Sequence, residues 1–365
     1  MSNTMKKYAD FLHNVRGKVL LGCDGFVDET FEIVEVRKSQ SEFTPMKQLR
    51  QFGELLVARA GGGVGVELVP KRRCEGGFAI NTGRVAAFLG LKPLLPGLYG
   101  SQAIDPAFEP FTEKCELLSL GDPALTIALE FGDGKVLMSN LEAVSNLTWE
   151  IFQEHFGEEK IRKLFADVDI LGLGYWSLTA NFDEIFEGFM RQYEGGAAPQ
   201  RMFFDFADIK KKSHESFNKS LALIRSYNSR IPMTLSLNEH EVLELFSRIG
   251  VDCPELAPEA VSSALTAARE KTGLDELVVH TPDFAAASSA TEGEAYAVQD
   301  RQTNVLRLAG AGDSFNGGYL CASLGNLPPK ERLVVANAVA AYFVTHANAP
   351  NKEELLAQIE KASDK

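Results

Sequence analysis

The chain reads as an α/β protein with a mostly parallel central sheet and helices on both faces. Three observations predict this class. Short apolar runs alternate with longer amphipathic stretches along most of the sequence. Several of those runs are continuously apolar, as strands covered on both faces must be. Two segments break the alternation with strand-like stretches of their own. In chain order, core strands are expected at residues 19–23, 93–98, 170–173, 202–206, 233–237 and 277–280. Helices are expected at 79–89, 149–156, 182–193, 213–227, 239–248, 258–272, 312–323, 329–345 and 352–361. The first exceptional segment, between Asp28 and Gly76, holds strand-like residues 30–37, a helical stretch at 45–60, the run Gly61-Gly62-Gly63 and strand-like residues 64–69. In the second, residues 125–131 and 135–139 flank Gly132-Asp133-Gly134, the pattern of a β-hairpin.

Composition limits the function classes. A length of 365 residues is long for one domain, but α/β enzymes of this size often fold around one core with a small appendage. A hydrophobic content of 45% is enough for that core. The net charge of −13 argues against nucleic acid or an anionic membrane as partner. It also opposes an anionic ligand, so local Lys, Arg, Mg²⁺ and backbone donors must reverse the field at any phosphate site. The five cysteines, Cys23, Cys74, Cys115, Cys253 and Cys321, show no CxxC spacing and read as reduced thiols, neither a disulfide framework nor a metal site. No basic stretch leads into an apolar signal segment and no apolar run approaches the length of a membrane span, so a cytoplasmic protein is expected.

The most informative stretch is Ala309-Gly310-Ala311-Gly312-Asp313-Ser314-Phe315-Asn316-Gly317-Gly318. A bare glycine turn at a helix start exposes unpaired N–H groups which, with the helix dipole, make a seat for phosphate. Asp313 at its mouth has the position of a base for an attacking hydroxyl. Alone, the stretch reads equally as a tight turn with Asp313 as an N-cap. Three companions stand in fixed order: Gly22-Cys23-Asp24-Gly25-Phe26-Val27-Asp28 after the first strand, Gly76-Gly77-Phe78-Ala79-Ile80-Asn81 at a helix start, and Asn238-Glu239-His240-Glu241 after an apolar strand. Together these motifs resemble the ribokinase or PfkB-type carbohydrate kinase family over nearly the whole chain, residues 18–349.

The resemblance implies a three-layer sandwich with a small β-sheet lid over the substrate. The core would comprise residues 1–28, 76–122 and 141–365, and the lid residues 29–75 and 123–140, with a homodimer through the lid as one expected assembly. It implies that Asp313 is the general base and that the N–H groups of Ala311, Gly312 and Asp313 hold the transferring phosphoryl, with Gly310 and Gly312 kept bare. Asn238 and Glu241, three apart on one turn, would face the nucleotide phosphates. Glu241 would hold Mg²⁺ through its water shell. The alternative for this pair is a helix cap. Thr281 and Asn337 join the expected nucleotide site. Gly76 and Gly77 would let the acceptor approach the backbone, Asn81 would bind its hydroxyls, and one of Asp28 and Asp24 would grip them while the other caps a turn. Arg72 and Arg73 read as a solvated pair or as ligands for a phosphate already on the substrate, His280 as a core histidine, and Asp205 as a further candidate on the C-terminal rim of the sheet.

Departures from the family pattern are also legible. Arg307-Leu308-Ala309 replaces an acidic residue and two threonines before the glycine turn, and Thr281-Pro282-Asp283 replaces a Thr-x-Gly turn. In the family, the acidic residue helps to hold a monovalent cation. Here a guanidinium either replaces that ion, removing the need for K⁺, or points to solvent or pairs with a surface carboxylate. The expected function is transfer of a phosphoryl group from ATP, with Mg²⁺, to a hydroxymethyl group of a sugar or sugar-like small molecule. A nucleoside acceptor, an ADP donor and a catalytically weak ligand-binding homologue are the alternatives.

Overall fold

The structure, a computed structural model, describes residues 3–194 and 198–363. The chain opens with α1 (Asn3–Asn14) and β1 (Val19–Gly22), then leaves the core through β2 (Phe26–Arg37), β3 (Phe43–Pro45), α2 (Leu49–Ala58) and β4 (Leu68–Gly76). It returns with α3 (Phe78–Phe88), β5 (Leu94–Gly97) and β6 (Glu116–Ser119), and makes a second excursion through β7 (Ala124–Phe131) and β8 (Gly134–Asn140). Next come α4 (Glu142–Asn146), α5 (Trp149–Phe165), β9 (Ile170–Gly174), α6 (Phe182–Arg191), β10 (Arg201–Asp205), α7 (His214–Asn228), β11 (Met233–Asn238) and α8 (Glu239–Ile249). The chain ends with α9 (Pro258–Thr272), β12 (Glu276–His280), β13 (Phe284–Ser289), β14 (Gly293–Val298), α10 (Ala311–Leu324), α11 (Pro329–His346) and α12 (Lys352–Ser363).

The large sheet has nine strands in the order β14-β13-β12-β11-β10-β9-β1-β5-β6. It is parallel from β6 to β12 and antiparallel at β13 and β14. Period-two alternation splits the strand residues between two cores. Leu20, Leu171, Phe204 and Leu235 pack on one face against Phe186, Phe217 and Leu245. Val19, Leu21, Phe203 and Val278 pack on the other against Phe78, Phe315 and Leu333. Both faces are therefore covered, so most of these strands are continuously apolar, and the polar Thr234 and Ser236 that alternate along β11 are buried as well. The expected helix at 149–156 continues to Phe165 across a break at Gly157 (φ 68°), and β13 lies partly where a loop was expected. No helix among the described residues is long and apolar enough to cross a membrane.

The small sheet joins β3, β2, β7 and β8 in order, with β4 paired to β2. Its two faces differ in use. Asp28, Thr30, Thr126 and Ser139 face a cavity against the large domain. Ile33 and Leu129 point the other way, where α2 seats Phe52 against them and stacks it on Phe131 at 5.8 Å. The helix inside the long insertion thus covers the back of this sheet. Ile33, Phe52 and Leu129 are buried by this packing, while Leu137 and Met138 on β8 stay exposed.

Candidate active site

The parallel strands end at a common rim, and the residues that follow them are the polar ones. Asp24 follows β1, Tyr175 follows β9, Asp205 and Asn238 close β10 and β11, and His280 closes β12. Open α/β sheets bind ligands at this rim because the connections diverge there and leave a crevice. Helix α10 points its N-terminus into it. Gly310, the residue before α10, has φ 91°, a left-handed conformation that side chains rarely adopt, and a Cβ there would lie 3.2 Å from the Asn81 amide.

Asp313 sits in the first turn of α10 and is buried. Its Oδ2 accepts hydrogen bonds from Asn81 Nδ2 at 2.9 Å and from the Tyr175 hydroxyl at 3.1 Å. Burial raises its pKa above the usual carboxylate range, while these two donors and the Arg84 and Arg307 guanidiniums pull it back. Asn81 also accepts from Arg84 Nη2, so its amide is engaged by the base and the arginine, where the sequence reading assigns it to acceptor hydroxyls; it lines the first cavity as well. Behind it, Glu75 Oε1 accepts from Arg84 at 2.7 Å and from Arg307 at 3.1 Å. Arg307 donates further to the carbonyls of Glu75 and Ala309, at 3.0 and 3.1 Å. It is buried and does not point to solvent.

Two cavities meet at this turn. The first, about 990 Å³, lies under the small sheet and is lined by Asp28, Asn81, Thr126, Tyr175, Arg307 and Gly310, among others. The second, about 700 Å³, is lined by Asn238, His280, Thr281, Ala311, Gly312 and Ala341, among others. Val305, Leu308 and Lys135 line both, and the glycine turn stands between them. A third cavity of about 650 Å³, at Trp149, Arg162 and Tyr193, touches none of these groups.

The structure separates the two carboxylates that the sequence left in competition. Asp28 lines the first cavity, its pKa raised by burial against the pull of Arg307 and a Thr126 hydrogen bond. Asp24 is 1% exposed and accepts from the backbone N–H groups of Phe78 and Ala79, at 2.6 and 2.9 Å. It caps α3 and does not line the cavity. Gly76 and Gly77 gain a different rationale for the same reason: a Cβ on them would lie 2.8 Å from Asp28 Oδ2 and 2.9 Å from Asp24 Oδ2. They admit two carboxylates, and Gly77 also lines the first cavity. Arg73 is held by Asp105, at 2.6 and 2.8 Å, and by Glu29, while Arg72 stays at the cavity mouth beside Glu130.

On the other side, Asn238 and Glu241 form a capping box; Asn238 lines the second cavity, while Glu241 is buried behind it and lines neither cavity. Asn238 Oδ1 accepts from the N–H groups of His240 and Glu241, and Glu241 accepts from the Asn238 backbone at 2.9 Å. Burial, with Asp208 and Asp313 nearby, pushes Glu241 up to about 7. Asp205, which accepts from Asn316 at 2.8 Å, is raised for the same reason, with Glu241 and Asp313 adding repulsion. The repulsion that raises Asp205 and Glu241 is one that a nearby cation would relieve. Thr281 lines the second cavity, but its hydroxyl is engaged with the turn at Asp283 and Phe284. The charge of Asp283 is paired with Arg301 at 2.7 Å. Asn337 does not line the cavity. Its amide bonds the Ala297 carbonyl, and α11 presents Ala340, Ala341 and Val344 instead. His280 packs on Phe315 and is lowered to about 4 by burial, a neutral histidine that also lines the cavity wall.

Sequence reading missed Tyr175, Arg84 and Glu75. Tyr175 was findable as a polar aromatic just past a rim strand, and Glu75 as the acid next to the glycine pair. Arg84 carries no local signal, because its role depends on a contact with Asn81 one turn away and on Glu75.

Comparison with known proteins follows the same lines. The profile of the prokaryotic ketohexokinase family matches residues 8–362. A ketohexokinase from Haloferax volcanii is 27% identical over 352 residues, spanning 93% of this chain and 90% of that protein. Solved structures share the fold at low identity. A probable sugar kinase from Rhizobium etli has a TM-score of 0.67 at 18% identity, covering 96% of this chain and 99% of that one. A putative ribokinase II from E. coli, solved with ATP and Mg²⁺, has a TM-score of 0.64 at 15% identity, covering 95% of this chain and 100% of the other.

Proposed function

The chain belongs to the prokaryotic ketohexokinase family, among the ribokinase-type carbohydrate kinases, and on that basis we propose that it transfers a phosphoryl group from ATP to a hydroxymethyl oxygen of a ketohexose. The enzyme class, a phosphotransferase with an alcohol group as acceptor, follows from the membership itself. The observation that carries the finer reading is the glycine turn 310–312 as the wall common to two cavities. An acceptor held by Asp28, Thr126 and Ser139 on one side would present its hydroxyl to Asp313. A nucleotide on the other side would present its phosphate to the N–H groups that open α10. Such a site acts by positioning and by stabilising charge, with little covalent chemistry of its own.

Asp205 and Glu241 are the residues that would hold Mg²⁺, which supplies charge neutralisation on the phosphates. Among the described residues no three His, Cys, Asp or Glu side chains gather as a direct cage, and Mg²⁺ keeps most of its water, so outer-shell carboxylates fit it. Glu241→Gln should therefore raise severalfold the Mg²⁺ concentration needed for half-maximal activity. Because Glu241 titrates near 7, the wild-type requirement should fall as pH rises from about 6 to about 8, when metal no longer competes with a proton. The variant should lose most of that dependence. An unchanged Mg²⁺ titration would return Glu241 to its capping role alone.

The reading is tested by nucleotide turnover with a panel of acceptors. Addition of fructose or another ketohexose to enzyme, ATP and Mg²⁺ should start turnover, with ribose and inosine far less effective. Turnover with inosine alone would make the protein a nucleoside kinase, and preference for ADP would reassign the donor. Ketohexose binding without turnover with either nucleotide would mark a binding homologue.

A further inference from the structure

The two oxygens of the Asp313 carboxylate are treated unequally. Oδ2 receives both protein donors, Asn81 Nδ2 and the Tyr175 hydroxyl, while among the described residues none is directed at Oδ1. Tyr175 is placed for this contact at some cost. It follows Gly174 at the end of β9 with φ 57°, a left-handed conformation that bulky residues rarely adopt and that tends to persist at functional sites. Its carbonyl accepts from the N–H groups of Leu178 and Thr179, at 2.9 and 3.0 Å, which fixes the turn. Its ring is set edge-on to Phe26 at 6.0 Å and tilted to Phe78 at 6.4 Å. Burial pushes the phenol well above its ordinary pKa, so the hydroxyl stays protonated and donates.

We propose that Tyr175 is a positioning residue for phosphoryl transfer: together with Asn81 it holds Oδ2 of Asp313, so that Oδ1 is the oxygen turned to the acceptor hydroxyl. In the transfer the acceptor O–H proton passes to Oδ1. The electron pair left on the acceptor oxygen forms the new bond to phosphorus, and the bond from phosphorus to the nucleotide's bridging oxygen breaks. The inference rests on the reading of Asp313 as base. Other charged groups surround that carboxylate, with Arg84 from α3 and Arg307 from the loop before α10 opposing Asp24 after β1, Asp205 at the end of β10 and Glu241 on α8.

Tyr175→Phe keeps the ring and removes one hydrogen bond to an ionised group, so kcat should fall about tenfold or somewhat more, with acceptor KM within about twofold. Loss of a donor to the charged form raises a carboxylate's pKa, so the acid limb of the kcat/KM profile should move to higher pH. A residue that only packs would leave that limb in place. In an Asp313→Asn background the same substitution should have no further effect, because there is no base to orient. An unmoved kcat and acid limb in Tyr175→Phe would overturn the proposal, as would equal fold-losses in the two backgrounds. An Asp313→Asn enzyme with full activity would instead overturn the base reading, and the proposal with it.

Discussion

Asp313→Asn should lower kcat by about 10²–10⁴-fold, the range for loss of a positioned general base, while acceptor binding changes little. The substitution keeps the shape of the side chain, and its amide oxygen can still accept from Asn81 and Tyr175. What it removes is the second oxygen's ability to take a proton. The structure also sets the sign of the stability change. Desolvation is the largest influence on Asp313 and raises its pKa, and Asp24, Asp205 and Glu241 all feel its charge. An ionised carboxylate is therefore unfavourable to the fold at neutral pH, and a neutral amide relieves it. Thermal unfolding at pH 7 to 8 should show a Tm equal to or above that of the wild type, against the large fall in turnover. For the wild type, the raised pKa places loss of activity on the acid side above the usual carboxylate range, because the base works only when ionised. A variant with near-normal kcat on the turned-over acceptor would remove Asp313 from the mechanism, and a low kcat accompanied by a collapsed Tm would attribute the loss to folding.

The fold was largely legible because most core strands are continuous apolar runs bounded by polar rim residues, β11 with its buried Thr234 and Ser236 being the exception. Leu20 and Leu21 pack to opposite faces and both are apolar, which only a strand covered on both sides requires. What failed to appear was β6 and β14, whose residues are only partly buried, the buried β13 of small residues, and residues 70–76 of β4, where Lys71 and Arg72 are exposed. Edge and lid strands carry little hydrophobic signal because water solvates one side of them. The site was legible where one residue's chemistry depends on its immediate neighbours, as at Gly310 to Asp313 and at Asn238 to Glu241. It was illegible where the chemistry depends on long-range contacts. Whether Asp24 or Asp28 faces the cavity is settled by the N-terminus of α3, which captures Asp24, and no local pattern reports that. The roles of Tyr175, Arg84 and Glu75 exist only once strands far apart in sequence end on the same rim.

Arg307 combines both kinds of signal, and its removal should produce the second large effect. Its guanidinium touches three oxygens, the carbonyls of Ala309 and Glu75 and the Glu75 carboxylate, and lies over the Phe343 ring at 5.4 Å. It thereby ties the strand that leaves the small sheet to the loop that opens the glycine turn, and it places a fixed positive charge beside the proposed site of phosphoryl transfer. A monovalent cation held by oxygens would serve the same electrostatic purpose. The wild type should consequently show the same turnover in Na⁺, K⁺ and tetramethylammonium salts at equal ionic strength. Arg307→Ala should lose about 10²-fold in kcat/KM, comparable to loss of a preorganised donor to developing charge. The fold should tolerate the change, since Glu75 keeps its bond to Arg84. The vacated space would be lined by those same three oxygens, a donor set suited to a large monovalent ion, so K⁺ should restore part of the lost activity where tetramethylammonium, too large and with no bare charge to offer, does not. Strong activation of the wild type by K⁺ would show that the guanidinium does not replace the ion. Full activity of Arg307→Ala in every salt would reduce the residue to a structural tie between the two segments.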